Sequence, residues 1–148
     1  MTTIRIATLS SVLLSQAIAC RSPALATVGS PLVPGVVEAL EAQRTMPKYL
    51  VPSDSLTSLL LSSFANERGI VLGRPDSALH CPWSGRTPTG YSVSISFDSI
   101  SHDEARGRFQ LTCSSPALRG AFATGGVAHL RRVGTRWVLD KWLDRWIT

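Results

Sequence analysis

Apolar and polar residues alternate most regularly between positions 91 and 113. Tyr91, Val93, Ile95 and Phe97 alternate with Ser92, Ser94, Ser96 and Asp98, the period of a strand with one dry and one wet face. Gly107, Phe109, Leu111 and Cys113 alternate in the same way with Arg106, Arg108, Gln110 and Thr112. A hairpin folded about His102 sets Phe97 opposite Gly107, Ile95 opposite Phe109, Val93 opposite Leu111 and Tyr91 opposite Cys113. It also sets Asp98 opposite Arg106. Every apolar side chain then lies on one side. A slip of one residue would send one strand's apolar set to the other face, so the pattern itself fixes the register.

A second hairpin is predicted in GVAHLRRVGTRWVLDKW. A turn at Gly134-Thr135 pairs Leu130 with Leu139 and Arg132 with Trp137, and makes His129 and Asp140 neighbours on the opposite face. Trp142 and Trp146 share a face whether the tail is a strand or a helix, since a spacing of four suits both.

Upstream, Val36, Val37, Leu40 and Arg44 fall at helical spacing with Glu38 and Glu41 between them, predicting a helix near 34–44. TMPKYLVPSD reads as an extended link. Ser53 or Asp54 caps a second helix whose apolar stripe is Leu56, Leu59, Leu60 and Phe64, and Gly69 suits its left-handed stop. Ile70 to Leu72 form a short strand, and GRPDSALHCPWSGRTPTG is a turn-rich connection. The fold class is α+β: two N-terminal helices on a curved antiparallel sheet, in one domain spanning 35–148.

The first 26 residues follow another rule. No acidic residue occurs before Glu38, and Arg5 precedes an apolar stretch that ends in small residues, which describes an export signal. Ala24-Leu25-Ala26 offers one cleavage site. Ala17-Ile18-Ala19-Cys20 offers another, resembling the lipobox of bacterial lipoproteins, in which the signal is 1–19 and Cys20 carries the lipid. Residues 27–34, TVGSPLVP, read as a tether. The reading places the mature chain in the periplasm, the cell envelope or outside the cell, with Cys20 as its sole membrane attachment.

Export makes Cys81 and Cys113 a disulfide. Closing a loop of about 30 residues stabilises by roughly 3–4 kcal/mol in the chain-entropy model. A zinc site at His80, Cys81 and Cys113 is the alternative, but adjacent His-Cys is poor ligand spacing and no C-x-x-C occurs. No metal and no cofactor is expected.

Composition sharpens this picture. The chain is 44% hydrophobic and 17% charged, enough apolar material for a core. With the signal removed, Arg5 and Arg21 leave too, and the excess of basic over acidic residues falls from +5 to +3. That weakens any case for nucleic acid.

Four constellations invite a chemical reading. His102-Asp103-Glu104 falls at a hairpin turn, where neighbouring side chains diverge and Asp is common anyway. His129 with Asp140 is an acid-base pair if its face lines a cavity, and an ordinary cross-strand contact otherwise. Arg106, Arg108, Arg131, Arg132 and Arg136 form a strip for an anionic polymer, or simply a wet strand face. Trp83, Trp142 and Trp146 cover the core, or form a stacking platform for a ligand. No phosphate-cradling glycine loop, H-E-x-x-H or G-x-S-x-G occurs.

The strands of 91–113 and the final GTRWVLD, a glycine turn followed by Trp and an apolar strand, resemble the ketosteroid-isomerase-like (nuclear transport factor two-like) superfamily. The resemblance spans about half the chain. It implies a bent sheet wrapped around helices into a cone. The isomerase's catalytic acids have no placeable equivalents, so no site residue carries over. The family holds enzymes, binding domains and dimerising modules, and its fold does not choose among them.

These readings lead to a non-catalytic binding or interaction module of the bacterial cell envelope, whose partner is a small ligand or an envelope protein. The alternative is a small-molecule pocket enzyme using His129 and Asp140. The third is an anionic-polymer binder acting through its arginines.

Overall fold

The computed structural model describes residues 23–115 and 120–148. Residues 1–22, which hold most of the expected export signal and Cys20, lie outside the described residues.

The fold is α+β. A six-stranded sheet runs in the order β2-β1-β3-β4-β5-β6, with β1 Tyr49–Pro52, β2 Val71–Leu72, β3 Gly90–Ile100, β4 Glu104–Ser115, β5 Gly120–Val133 and β6 Arg136–Ile147. From β3 to β6 every pairing is antiparallel. β1 is parallel to both its neighbours, so the sheet is mixed rather than antiparallel throughout. TMPKYLVPSD is therefore more than a link: its centre is a sheet strand. A parallel pair needs a crossover of a dozen residues or more, and the helix α3, Ser55–Arg68, supplies it between β1 and β2.

The long hairpin keeps the register its alternation dictates. Val93 faces Leu111, Ile95 faces Phe109 and Phe97 faces Gly107. A bulge beyond Phe97 then pairs Ser99 with Arg106 and leaves Asp98 extra, so Asp98 is not opposite Arg106. The last hairpin pairs Leu130 with Leu139 and Arg132 with Trp137, turning through Gly134 at φ 62°.

Residues 27–34 are not a tether. Helix α1, Pro23–Gly29, continues through a 3-10 turn, Ser30–Leu32, into α2, Val33–Glu41. Pro31 and Pro34 look like loop residues, but each sits at the start of its helical element, where a missing N–H costs nothing. Val28 and Leu32 are buried, and they begin the core. The chain therefore has one interrupted N-terminal helical run and a separate α3.

The helical run lies across the inner face of the sheet at close range. A Cβ added to Gly107 of β4 would come within 2.8 Å of Leu32 Cδ1. One added to Gly35 would come within 2.5 Å of Trp142 Cη2 and 2.8 Å of Phe109 Cε1. Leu32, Leu40, Phe109 and Leu130 are fully buried between the layers.

Asp54 caps α3, accepting from the Thr57 N–H at 2.8 Å, and Gly69 closes it at φ 64°. The buried stripe, however, is Thr57, Leu61 and Ala65, flanked by the partly buried Leu60 and Phe64; Leu59 is 60% exposed. Thr57 is inside for a reason. β1 ends at Pro52, so the Ile95 N–H of β3 has lost its strand partner and donates to Thr57 Oγ1 at 3.1 Å.

Cys81 and Cys113 are bonded, with Cα atoms 5.0 Å apart and both residues buried. The disulfide is compatible with an oxidising, exported location. Among the described residues no helix is long and apolar enough to cross a membrane.

Candidate functional site

The residues singled out by sequence do not converge. His129 and Asp140 are neighbours, with Nδ1 and Oδ2 3.2 Å apart, but they sit on the solvent side of the sheet, their side chains 26% and 36% exposed. Glu104 lies 3.8 Å from His129 Nε2, and Arg131 Nε lies 3.2 Å from Asp140. The His129 hydrogen bond, reinforced by the charges of His129, Arg131 and Lys141, holds the Asp140 carboxyl below its ordinary value. The cluster is a string of alternating charges on a wet face, without the desolvated pocket that proton transfer calls for.

The arginines divide. Asp98, freed by its bulge, lies 3.4 Å from Arg106 and 3.0 Å from Arg108. Arg131 is held by Asp140, and Arg132 turns to the opposite face, opposite Trp137. Few of these charges are therefore available to a polymer. His102 meets Asp103 at 2.6 Å at the hairpin tip, both largely exposed.

The tryptophans also separate. Two bulges in β6, at Asp140 and Leu143, break the alternation. Trp142 pairs with Ala128 and reaches inward to Gly35 and Phe109, its ring centroid 5.6 Å from that of Phe109. Trp146 pairs with Gly125 and covers it from the outer side. They do not share a face and form no platform. Trp83, 42% exposed, stands edge-on to Phe122 at 4.7 Å near the disulfide.

A small cleft of about 300 Å³ lies between Trp146 and the end of α2 at Glu38 to Gln43; two others lie where no motif pointed. Gly73 donates its N–H to Leu50 O at 2.9 Å, and the chain then leaves the sheet as Arg74-Pro75-Asp76-Ser77-Ala78. Leu79 brings it back, packing where a side chain on Gly90 would sit; a Cβ there would be 2.6 Å from Leu79 Cδ2. His80 exchanges backbone bonds with Pro88 O and Gly90 N–H, and Cys81 N–H donates to Ser114 O at 2.9 Å. The segment is thus pinned at both ends, the second reinforced by the disulfide.

A cleft lies on each side of it. One, of about 650 Å³, is lined by Lys48, Tyr49, the 74–77 segment and Thr87 to Thr89. The other, of about 800 Å³, runs between the same segment and the outer face of β3 and β4 at Ser92, Thr112 and Ser114. It leads into a shallow trough floored by Ser94 and Gln110. Among the described residues no cluster of three His, Cys, Asp or Glu fits a metal ion. Comparison of the chain with protein-family models, curated proteins and solved structures finds no match.

Proposed function

We propose that this chain is a non-catalytic ligand-binding module of the bacterial cell envelope, built on a cone-like plan related to the ketosteroid-isomerase superfamily. One observation carries the reading. The inner side of the sheet, where a cone would enclose a pocket, is occupied by Leu32, Gly35 and Trp142 in direct contact with β4 and β5. Two accessible hollows flank residues 74–79, on a segment fixed by Leu79, the His80 backbone and the Cys81–Cys113 bond. A pre-shaped cleft with a few convergent polar groups is the usual form of a small-ligand site. The disulfide and the signal-like N-terminus support export, with attachment through Cys20 and release after Ala26 as alternative forms of the mature module. The His129–Asp140 enzyme reading loses its support because that pair faces solvent.

The test is a backbone-amide NMR titration of the protein with acetate, glucose, glucuronate, alanine and benzoate. Shifts are expected to cluster at 48–53, 74–79 and 87–92. Shifts centred on His129 and Asp140, or no cluster with any probe, overturn the reading.

A further inference from the structure

We propose that the cleft between Lys48 and Arg74 binds a saccharide bearing a carboxylate or phosphate group. The inference rests on the binding-module reading and names its ligand class. Five cations are already engaged: Arg68 with Glu41, Arg145 with Glu38, Arg106 and Arg108 with Asp98, and Arg131 with Asp140. Among the described residues Lys48 and Arg74 have no carboxylate within ion-pair distance, and both line the same cleft. Two cations without carboxylate partners lining one cleft favour an anionic group, and a guanidinium together with an ammonium suits a carboxylate or a phosphate equally.

The remaining lining specifies what carries the charge. Ser77, Thr87 and Thr89 contribute hydroxyls, and Asp76 contributes a carboxylate that accepts from ligand hydroxyls. Thr89 Oγ1 already accepts the Lys48 N–H at 3.3 Å, so its own proton is left to donate. Pro75, Pro88 and the Tyr49 ring supply small apolar walls, and the Lys48 ammonium rests 5.7 Å from that ring's centroid. Hydroxyl and carboxylate groups together with small apolar surfaces in one cleft suit the two-sided character of a sugar ring. A purely apolar ligand would leave Asp76, Lys48 and Arg74 desolvated without partners. The cleft, about 650 Å³, has the size of a small-ligand site.

The experiment titrates the full chain, produced in an exporting host, with glucuronate, glucose 6-phosphate, glucose, acetate, inorganic phosphate, alanine and benzoate, reading amide shifts and calorimetric affinity. An acidic sugar is expected to shift 48, 74–77, 87 and 89 and to bind about tenfold more tightly than glucose or than its free anion, since one charge-assisted hydrogen bond is worth that factor. Glucuronate against glucose 6-phosphate decides which anion is preferred. Lys48→Met and Arg74→Met should each weaken the acidic sugar about tenfold and leave glucose unchanged, with Lys48→Arg recovering most of the loss. Both positions are at the surface, and circular dichroism checks that the variants fold. Equal affinity for glucose and glucuronate, or affinity indifferent to both Met variants, overturns the ligand class. If benzoate or alanine instead shifts 74–79, the acidic sugar falls and the binding module stands. If no probe shifts that segment, both fall together.

Discussion

Gly35→Ala pits two effects of opposite sign against each other, and the outcome reports how closely the N-terminal helix sits on the sheet. Ala in place of Gly within a helix stabilises by up to about 1 kcal/mol through backbone entropy. Against that, the new methyl group would lie 2.5 and 2.7 Å from Trp142 Cη2 and Cζ2 and 2.8 Å from Phe109 Cε1. Carbon atoms rest near 3.5–4.0 Å, so all three contacts are repulsive. Neither ring yields easily. Phe109 is fully buried, and Trp142 is held edge-on to it with the Arg145 guanidinium 4.8 Å from its own ring. Overpacking of this kind costs about 1–3 kcal/mol, and three short contacts to rigid groups belong in the upper half of that range. The expected net loss is about 1–2 kcal/mol, a fall in Tm of about 4–8 °C for a domain of this size. Thermal unfolding followed by far-ultraviolet circular dichroism measures it, and tryptophan fluorescence reports the displacement of Trp142. A rise in Tm would mean that the helix stands off the sheet and that the inner side is not filled, removing the main argument against an interior pocket.

Replacing Cys81 and Cys113 together by Ala should cost about 3–4 kcal/mol in urea unfolding, the loop-closure value for a separation of 32 residues; a midpoint that barely moves would show that the cross-link contributes nothing. Tyr91 is buried, its hydroxyl lacks a partner among the described residues, and burial pushes its pKa above the ordinary 10.0. A folded-state pKa raised above the unfolded one gives stability that is complete below pH 10 and lost as pH rises beyond it, so wild type should weaken at alkaline pH. Tyr91→Phe should add about 1 kcal/mol at pH 7 and flatten that alkaline decline, and a less stable variant would reveal a hydrogen bond to the hydroxyl. Removal of residues 1–26 should change stability by less than about 0.5 kcal/mol, because Val28 is the first buried residue described. Removal through Leu32 should cost more than about 3 kcal/mol by stripping two core side chains, and equal stability of the two truncations would restore the tether.

What the sequence displayed and what it hid follow from the range of the interactions involved. The β3–β4 register was legible because period-two alternation and the shape of a hairpin are local and agree with each other. So were the Asp54 cap and the Gly69 stop, each decided within one helical turn. The Trp142–Trp146 relationship was not. It depends on the bulge at Leu143 in β6, between the two tryptophans, which is visible only once β5 is paired beside it. Residues 27–34 look like a tether because Gly, Ser and two prolines signal a loop by composition, whereas proline at the start of a helical element is compatible with continuing it. The stripe of α3 was misplaced because leucines nearly surround that helix. The position that decides its orientation is Thr57, chosen by an N–H on a distant strand. The clefts join Lys48 to Thr89 and Leu79 to Gly90, contacts across the sheet for which no local pattern exists.

The bulges also connect the fold to its electrostatics. A regular β3 would have pointed Asp98 to one face in strict alternation and offered it to a single cross-strand neighbour. As an extra residue it reaches two arginines at once. The bulge at Asp140 likewise lets one carboxylate serve both His129 and Arg131. Two acids thereby occupy three arginines and a histidine on the outer face, in pairs that are solvent-exposed and individually weak but that reduce the local field. β6, a sheet edge, gains from the same arrangement, since bulges and charged side chains discourage another strand from adding to it. The cations left without such partners include Lys48 and Arg74, at the opposite end of the sheet order and beside a segment that is anchored but not covered. Any attraction for an anion that survives physiological salt therefore has to come from short contacts inside that cleft rather than from the summed charge of the surface. An acidic ligand should accordingly lose affinity only gradually as salt is raised, whereas an arginine-face polymer binder would lose it steeply.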